Sequence, residues 1–351
     1  MTKTFGVPKL ALGIVALLAF LANATQADVV YNFTNFAGTG SGSNSGAGTN
    51  MNGIANNGAA VGFGISNAGA FTNFVRNPDG SFTTLNLNGT ITAMAFGINS
   101  AGDVVGTDGN GNAVFLPHGG SANTLAVPGS TAATAFGIND NGNIVGQFTS
   151  ATAMPGFFLS SSSGGSLTRI DAPSGADTVN AQGINNNGLI AGFYVGTDGQ
   201  DHGFDAKIQN ALGGSLTGTA IADPTIPNVA GEPGATFVFS QILGINDNGL
   251  AVGYYGDSTT SQHGFLYDTQ TGKYTFLDDP FEQFDNGVEV TQITGIANSG
   301  EITGFYSDSN GVFHGFVAFA VPEPASCSLV VSCFSLLAVW LAKRKRESAS
   351  S

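Results

Sequence analysis

Short apolar runs alternate with polar, glycine-marked breaks along most of the chain. In one stretch, Thr134–Asn139 (TAFGIN) is largely apolar, Asp140-Asn141-Gly142 is a polar break, and Asn143–Phe148 (NIVGQF) is largely apolar again. Two more strand-length runs follow, Pro155–Ser161 (PGFFLSS) and Ser166–Pro173 (SLTRIDAP). Runs of this length, rich in aromatic and β-branched residues and bounded by Gly, Asn, Asp and Pro, predict β-strands joined by tight turns. Gly142 suits the turn position that needs a positive φ. Four strands in this space make one antiparallel sheet of propeller-blade size.

The pattern recurs. GIANNGAAVGF starts at Gly53, GINSAGDVVGT at Gly97, GINDNGNIVGQF at Gly137, GINNNGLIAGF at Gly183, GINDNGLAVGY at Gly244 and GIANSGEITGF at Gly295. Self-similarity at a period of 40 to 61 residues points to a repeat architecture. Third strands follow at Ala70–Arg76, Asn112–His118, His202–Ile208, His263–Thr269 and His314–Ala320. The last repeat runs out before its fourth strand, while Asp28–Gly38 (DVVYNFTNFAG) has the alternation of a strand left over at the other end. Pairing the two would close a ring and remove its exposed edges. The expected fold is all-β, a six-bladed β-propeller closed by an N-terminal strand, with the six repeat-opening glycines in structural roles. Gly38–Asn50, a run of small polar residues, reads as a mobile linker or long loop. An insertion at about Leu212–Gln241 reads as an added hairpin or loop.

The two ends read as addresses. Lys3 and Lys9, an apolar core at Leu10–Ala22 and small residues up to Ala27 form a secretory signal peptide cut after Ala27, which implies the Sec translocon and signal peptidase as partners. At the other end, Pro322-Glu323-Pro324 precedes an apolar stretch, Ala325–Ala342, and the basic cluster Lys343, Arg344, Lys345 and Arg346. The stretch is long enough for a transmembrane helix, and the basic cluster orients the preceding domain outward. The organisation is therefore 1–27 signal peptide, 28–52 closing strand and linker, 53–320 propeller and 321–351 tail.

Charge and composition narrow the chemistry. Net charge is −14, and between the two addresses the only basic residues are Arg76, Arg169, Lys207 and Lys273. An acidic body of this kind repels nucleic acid. Both cysteines, Cys327 and Cys333, lie in the apolar tail, so the globular part has neither a disulfide nor a thiolate site. No G-x-S-x-G elbow, cysteine nucleophile or zinc-helix motif occurs, and no carboxylate pair stands out as a glycosidase site. No catalytic residue is assigned, and the chain is read as a non-enzyme. His202, His263 and His314 occupy equivalent repeat positions and are expected to cap strands rather than meet at one ion. The acidic stretch DDPFEQFDNGVE suggests Ca2+ at Asp278, Asp279, Glu282 and Asp285, against the plainer reading of a solvated loop. Tyr194, Tyr254, Tyr255 and Tyr306 are candidates for stacking on sugars at the surface.

The tail, with its Pro322-Glu323-Pro324 motif, apolar span and basic cluster, resembles the PEP-CTERM sorting signal. Residues beyond that cluster, Glu347–Ser351, depart slightly from the pattern. The resemblance implies transient inner-membrane anchoring and processing by an exosortase, in a bacterium that makes exopolysaccharide. Gly53 to Ala320 resembles the HAF extracellular repeats, with His202-Gly203-Phe204, His263-Gly264-Phe265 and His314-Gly315-Phe316 matching their second motif except for Gly in place of Ala. That resemblance implies an exported repeat protein and no reaction. The expectation is a cell-surface or extracellular-matrix protein of structural or adhesive role, associated with biofilm or exopolysaccharide. The alternative is a secreted protein that binds or degrades polysaccharide, with exopolysaccharide or surface glycans as ligand.

Overall fold

The computed structural model describes residues 30–88, 92–160, 165–173, 175, 178–210, 215–226, 234–282 and 288–321. The segment read as a signal peptide, with Ala27, the segment from Pro322 through Arg346, and Asp285 lie outside these residues. Phe33–Phe319 forms one unit; the chain ends form another, of which only the outer ends of the first and last strands are described. Among the described residues no helix is long and apolar enough to cross a membrane.

The strands come in sets of four. The first strand is β1 (Val30–Phe36). Repeat one contains β2 (Gly48–Ile54), β3 (Ala60–Ile65), β4 (Phe71–Arg76) and β5 (Phe82–Thr84). Repeat two contains β6 (Met94–Ile98), β7 (Val104–Thr107), β8 (Ala113–Leu116) and β9 (Asn123–Thr124). Repeat three contains β10 (Ala132–Ile138), β11 (Ile144–Thr149), β12 (Gly156–Leu159) and β13 (Leu167–Asp171). Repeat four contains β14 (Val179–Ile184), β15 (Leu189–Val195), β16 (Asp201–Lys207), then β17 (Ser215–Thr217) and β18 (Thr219–Ala220). Repeat five contains β19 (Phe237–Ile245), β20 (Leu250–Asp257), β21 (Gln262–Asp268) and β22 (Lys273–Phe276). The last repeat contains β23 (Thr291–Ile296), β24 (Ile302–Ser307) and β25 (Phe313–Val321).

Within each repeat the strands, β17 excepted, pair antiparallel in chain order, and β1 pairs with β25 as the last sheet's missing fourth strand. A single parallel bridge, Gly48 to Phe313, joins this sheet to that of repeat one. The closing strand is locked from two sides. The Phe33 ring stands edge-on to Phe316 at 5.0 Å, and Phe36 packs on Phe82 at 5.8 Å, with the Arg76 guanidinium over its face.

The repeat-opening glycines hold the first strands together. A Cβ on Gly53 would stand 2.8 Å from the Phe96 carbonyl oxygen, and one on Gly97 2.6 Å from that of Phe136. One on Gly137 would stand 2.6 Å from that of Gln182. At Gly183, Gly244 and Gly295 it would meet the Cα of Gly244, Gly295 and Gly53, the last returning the series to its start. These glycines are thus needed for close approach between neighbouring repeats, whereas Gly142 takes a positive φ, 76°, in the turn. A ring of sheets closed in this way is a β-propeller. Its apolar clusters lie between adjacent sheets: Val145, Phe158 and Ile170 of repeat three pack with Val179, Ile190 and Phe204 of repeat four. Phe74, Phe157, Phe204, Phe265 and Phe316 recur on third strands and are all fully buried, each worth about 1.5–3 kcal/mol of burial.

Two expectations change. Gly38–Asn50 is packed structure rather than a mobile linker. Gly42 N donates to Ile65 O, Gly46 N to Gly311 O and Gly38 N to Thr49 Oγ1, and strand β2 already begins at Gly48. The insertion of repeat four forms no separate hairpin among its described residues: β17 adds in parallel to β13 of the preceding repeat, while β18 completes its own sheet.

Candidate functional site

Each first strand carries a β-bulge one residue before its glycine, as at Ala135/Gly137 and Ile242/Gly244. Such a bulge re-aims a side chain. The residues at this position, Asn52, Phe96, Phe136, Gln182, Leu243 and Thr294, line a cavity of about 320 Å³ where the first strands converge. Among the described residues no His, Cys, Lys or Arg lines it.

Two tiers of hydrogen bonds organise the turn end of this cavity. The asparagine of the GIN sequence serves both its own turn and its neighbour. Asn139 Oδ1 accepts from the backbone N–H groups of Asn141 and Asn143, while its Nδ2 donates to Asn185 O at 2.9 Å. Asn185 does the same toward Asn246 O, and Asn246 toward Ala297 O. Where alanine replaces this asparagine, at Ala55 and Ala297, the bulge residue makes the link. Thr294 Oγ1 donates to Met51 O and Asn52 Nδ2 to Ala95 O, both at 2.8 Å.

The second tier is built by the next residue of each turn. Ser100 N donates to Asp140 Oδ1, Asp140 N to Asn186 Oδ1 and Asn186 N to Asp247 Oδ1. Asp247 N then donates to Asn298 Oδ1 and Asn298 N to Asn56 Oδ1. The amides of Asn56 and Asn186 both reach Asp140 Oδ2. Burial pushes the Asp140 carboxyl up, but these donors outweigh it and hold the group below the usual carboxylate range. The Asp-Asn-Gly turns are therefore structural joints between repeats, as expected of Asx turns; most of their partners come from the neighbouring repeat, and the Asn56–Asp140 bond links repeat one to repeat three.

A different cluster type recurs at the opposite strand ends, where second strands pass into third strands. Tyr194 lies against His202 with ring centroids 5.8 Å apart; Tyr255 stacks on His263 and Tyr306 on His314, each at 5.1 Å. Each imidazole meets an acid: His202 lies between Asp198 (3.1 Å) and Asp223 (2.9 Å), His263 Nδ1 meets Asp278 at 3.0 Å, and His314 Nε2 meets Asp308 at 3.0 Å. Burial would lower the His202 pKa, but its bonds to Asp198 and Asp223 outweigh that and raise it. The three histidines cap separate repeats and do not assemble into one site. Tyr194, Tyr254, Tyr255 and Tyr306 are all buried, which corrects their reading as surface stacking platforms; Tyr254 spends its hydroxyl on Gln241.

The acids proposed for calcium divide. Asp278 bonds His263, Asp279 is 1 % exposed and accepts from Asn35, and Glu282 accepts from Thr291 Oγ1. Asp257 and His263 join this neighbourhood without having been paired with it in sequence, and Glu289, from the same acidic stretch, lies beside them. Only the recurrence of His-Gly-Phe hinted at His263, and nothing in the spacing placed Glu289 beside it.

No protein-family model and no curated protein matches the chain. Solved structures similar to it include TolB from Acinetobacter baumannii, at 11 % identity and a TM-score of 0.40, covering 71 % of this chain and 59 % of that one. Another is a puromycin hydrolase mutant, at 10 % identity and a TM-score of 0.41, covering 78 % and 53 %. A third is the six-bladed β-propeller lectin of Aleuria aurantia, at 12 % identity and a TM-score of 0.38, covering 85 % and 97 %. The chain thus spans little more than half the length of the first two. Likeness at this level carries no information about chemistry.

Proposed function

We propose that this chain is an exported, non-catalytic surface protein whose Phe33–Phe319 unit is a six-bladed propeller serving as a structural or adhesive body. In this reading it passes the Sec translocon, is cut after Ala27, is held transiently in the inner membrane by Ala325–Ala342, and is processed at Pro322-Glu323-Pro324 by an exosortase. The observation that supports a body without catalysis is how the repeat uses its polar groups. Asn139, Asn185, Asn246, Asp140 and Asp247, the residues most like a repeated active-site loop, are committed to hydrogen bonds between repeats. A screen of the purified chain against matrix polysaccharides should show no turnover; hydrolysis lost on replacing a single carboxylate would overturn this reading.

One feature favours a second reading, polysaccharide binding. A groove of about 650 Å³ between repeats one and two combines Asn77, Thr83 and Asn86 with an apolar floor at Leu85, Pro117 and Leu116. Amide and hydroxyl groups beside apolar faces suit a sugar ring. A glycan array would favour this reading if binding occurred and fell on Asn86→Ala.

A further inference from the structure

The residue before each repeat-opening glycine varies where its neighbours do not. The glycine and the isoleucine after it recur in every repeat, while the bulge position between the converging first strands holds Asn52, Phe96, Phe136, Gln182, Leu243 and Thr294. Asn52 and Thr294 have a structural task, since they make the bridges that Ala55 and Ala297 cannot. In repeats two to five the bridge is made by Asn99, Asn139, Asn185 and Asn246, which releases the bulge residue from it. Joining the repeats therefore does not account for Phe96, Phe136 or Gln182.

These three belong to consecutive repeats held together by the close approaches at Gly97 and Gly137. The rings of Phe96 and Phe136 meet edge to face, with centroids 5.1 Å apart and planes at 67°. Both are only half-buried, unlike the fully buried phenylalanines of the third strands. The Gln182 amide beside them has no hydrogen-bond partner among the described residues. In the adjoining repeat one, Asn50 lines the same cavity, and its Oδ1 is buried with no hydrogen-bond partner. We propose that this cavity is a binding site for a neutral sugar, either a monosaccharide or the end of a glycan chain. A sugar ring combines apolar C–H faces with hydroxyls that both donate and accept. The phenylalanine pair offers its electron-rich faces to the C–H groups, and Gln182 offers an N–H donor and a carbonyl acceptor to the hydroxyls. A hydroxyl would also supply Asn50 Oδ1 with the donor it lacks, since a buried acceptor is unfavourable while unpaired.

Charge and shape select against other small ligands. A carboxylate or phosphate would be desolvated here without a partner, because no Lys, Arg or His lines the cavity among the described residues. Asp140 and Asp247 line its turn end, but their oxygens already accept from Asn56, Asn186, Asn298 and backbone N–H groups, which leaves little pull on a cation. Two ring faces set at 67° give no parallel slot for a flat aromatic ligand. The volume of about 320 Å³ lies at the small end of ligand pockets and suits one or two sugar rings. This site is separate from the groove between repeats one and two, and it depends neither on that groove nor on export.

The test is saturation-transfer NMR of the purified full chain with the methyl glycosides of D-glucose, D-galactose, D-mannose and N-acetyl-D-glucosamine, followed by calorimetric titration of those that bind. Methyl glucuronoside is the charged comparison. The expected result is one equivalent of at least one neutral sugar per chain, with the glucuronoside weaker by about tenfold or more. Phe136→Ala and Gln182→Ala should each lower the affinity by about tenfold. Gln182→Ala breaks no hydrogen bond within the described residues, so its Tm should match that of the wild type, which separates loss of binding from loss of fold. Asn86→Ala, in the groove, should bind as the wild type does. No binding by any of the four sugars, unchanged affinity in both cavity variants, loss of binding on Asn86→Ala, or tighter binding of the glucuronoside would each overturn the proposal. Turnover of a bound sugar would instead overturn the non-catalytic reading and leave this site standing.

Discussion

At the scale of single residues, the GIN asparagine does more than its neighbours. Asn185 Oδ1 caps two N–H groups of its own turn and its Nδ2 bridges to the next repeat. Asn185→Ala should therefore lower stability by roughly 2–3 kcal/mol, since each lost bond to a buried partner counts for about 1 kcal/mol. Asn185→Asp, which keeps the acceptor and loses the bridge, should lose less; urea denaturation separates the two. Gly137→Ala should cost more than Gly142→Ala, because a Cβ at 137 meets the Gln182 carbonyl at 2.6 Å and the turn position pays only about 1 kcal/mol for its backbone. The sequence made these glycines visible as structural without separating the turn position from the close-approach position. The distinction is tertiary: only the neighbouring strand shows that Gly137 has no room for a methyl group. His202 carries a pH signature. Its folded pKa is raised above the unfolded value of about 6.5. Its stabilising contribution is therefore complete below that value and is lost as pH rises through the folded pKa. Melting temperatures across pH 5 to 9 should show this decline, and His202→Gln should flatten the His202 component of it.

At the scale of elements, strand count proved more informative than composition. The missing fourth strand of the last repeat and the surplus strand at the N-terminus were both legible, and β1 pairs with β25 as that arithmetic required. Composition misled at Gly38–Asn50, where small polar residues suggested slack chain. The backbone of that segment instead bonds to repeat one and to the Asp308–Gly311 turn, and Gly38 lies so near the Phe74 ring that a side chain there would collide with it. Lack of side chains permits that contact. A chain lacking residues 30–36 should expose the edge of β25, leave Phe316 without its edge-on partner, and aggregate or melt at lower temperature. Adding the peptide Val30–Phe36 in excess should restore part of the loss, measured by differential scanning calorimetry. The parallel addition of β17 to the preceding repeat was not legible, because a three-residue strand has too short a pattern to reveal its partner.

At the scale of the whole molecule, the two proposed addresses can be tested apart from the propeller. Glu323→Ala, or deletion of Lys343–Arg346, should leave an unprocessed, membrane-retained form, read from intact mass and cell fractionation; unchanged processing after both would remove the exosortase reading. The propeller should remain folded in either variant, since its closing contacts lie within Phe33–Phe319. That closure also has a mechanical consequence. The chain leading into the proposed anchor leaves from β25, which pairs with β24 along Ile302–Ser307 and also with β1. Tension applied from beyond Val321 therefore runs along β25, loading its hydrogen bonds in parallel instead of peeling them one after another. A tethered body joined at this strand would resist flow by shear strength, and its weakest element under load would be β1, whose strand pairing is to β25 alone.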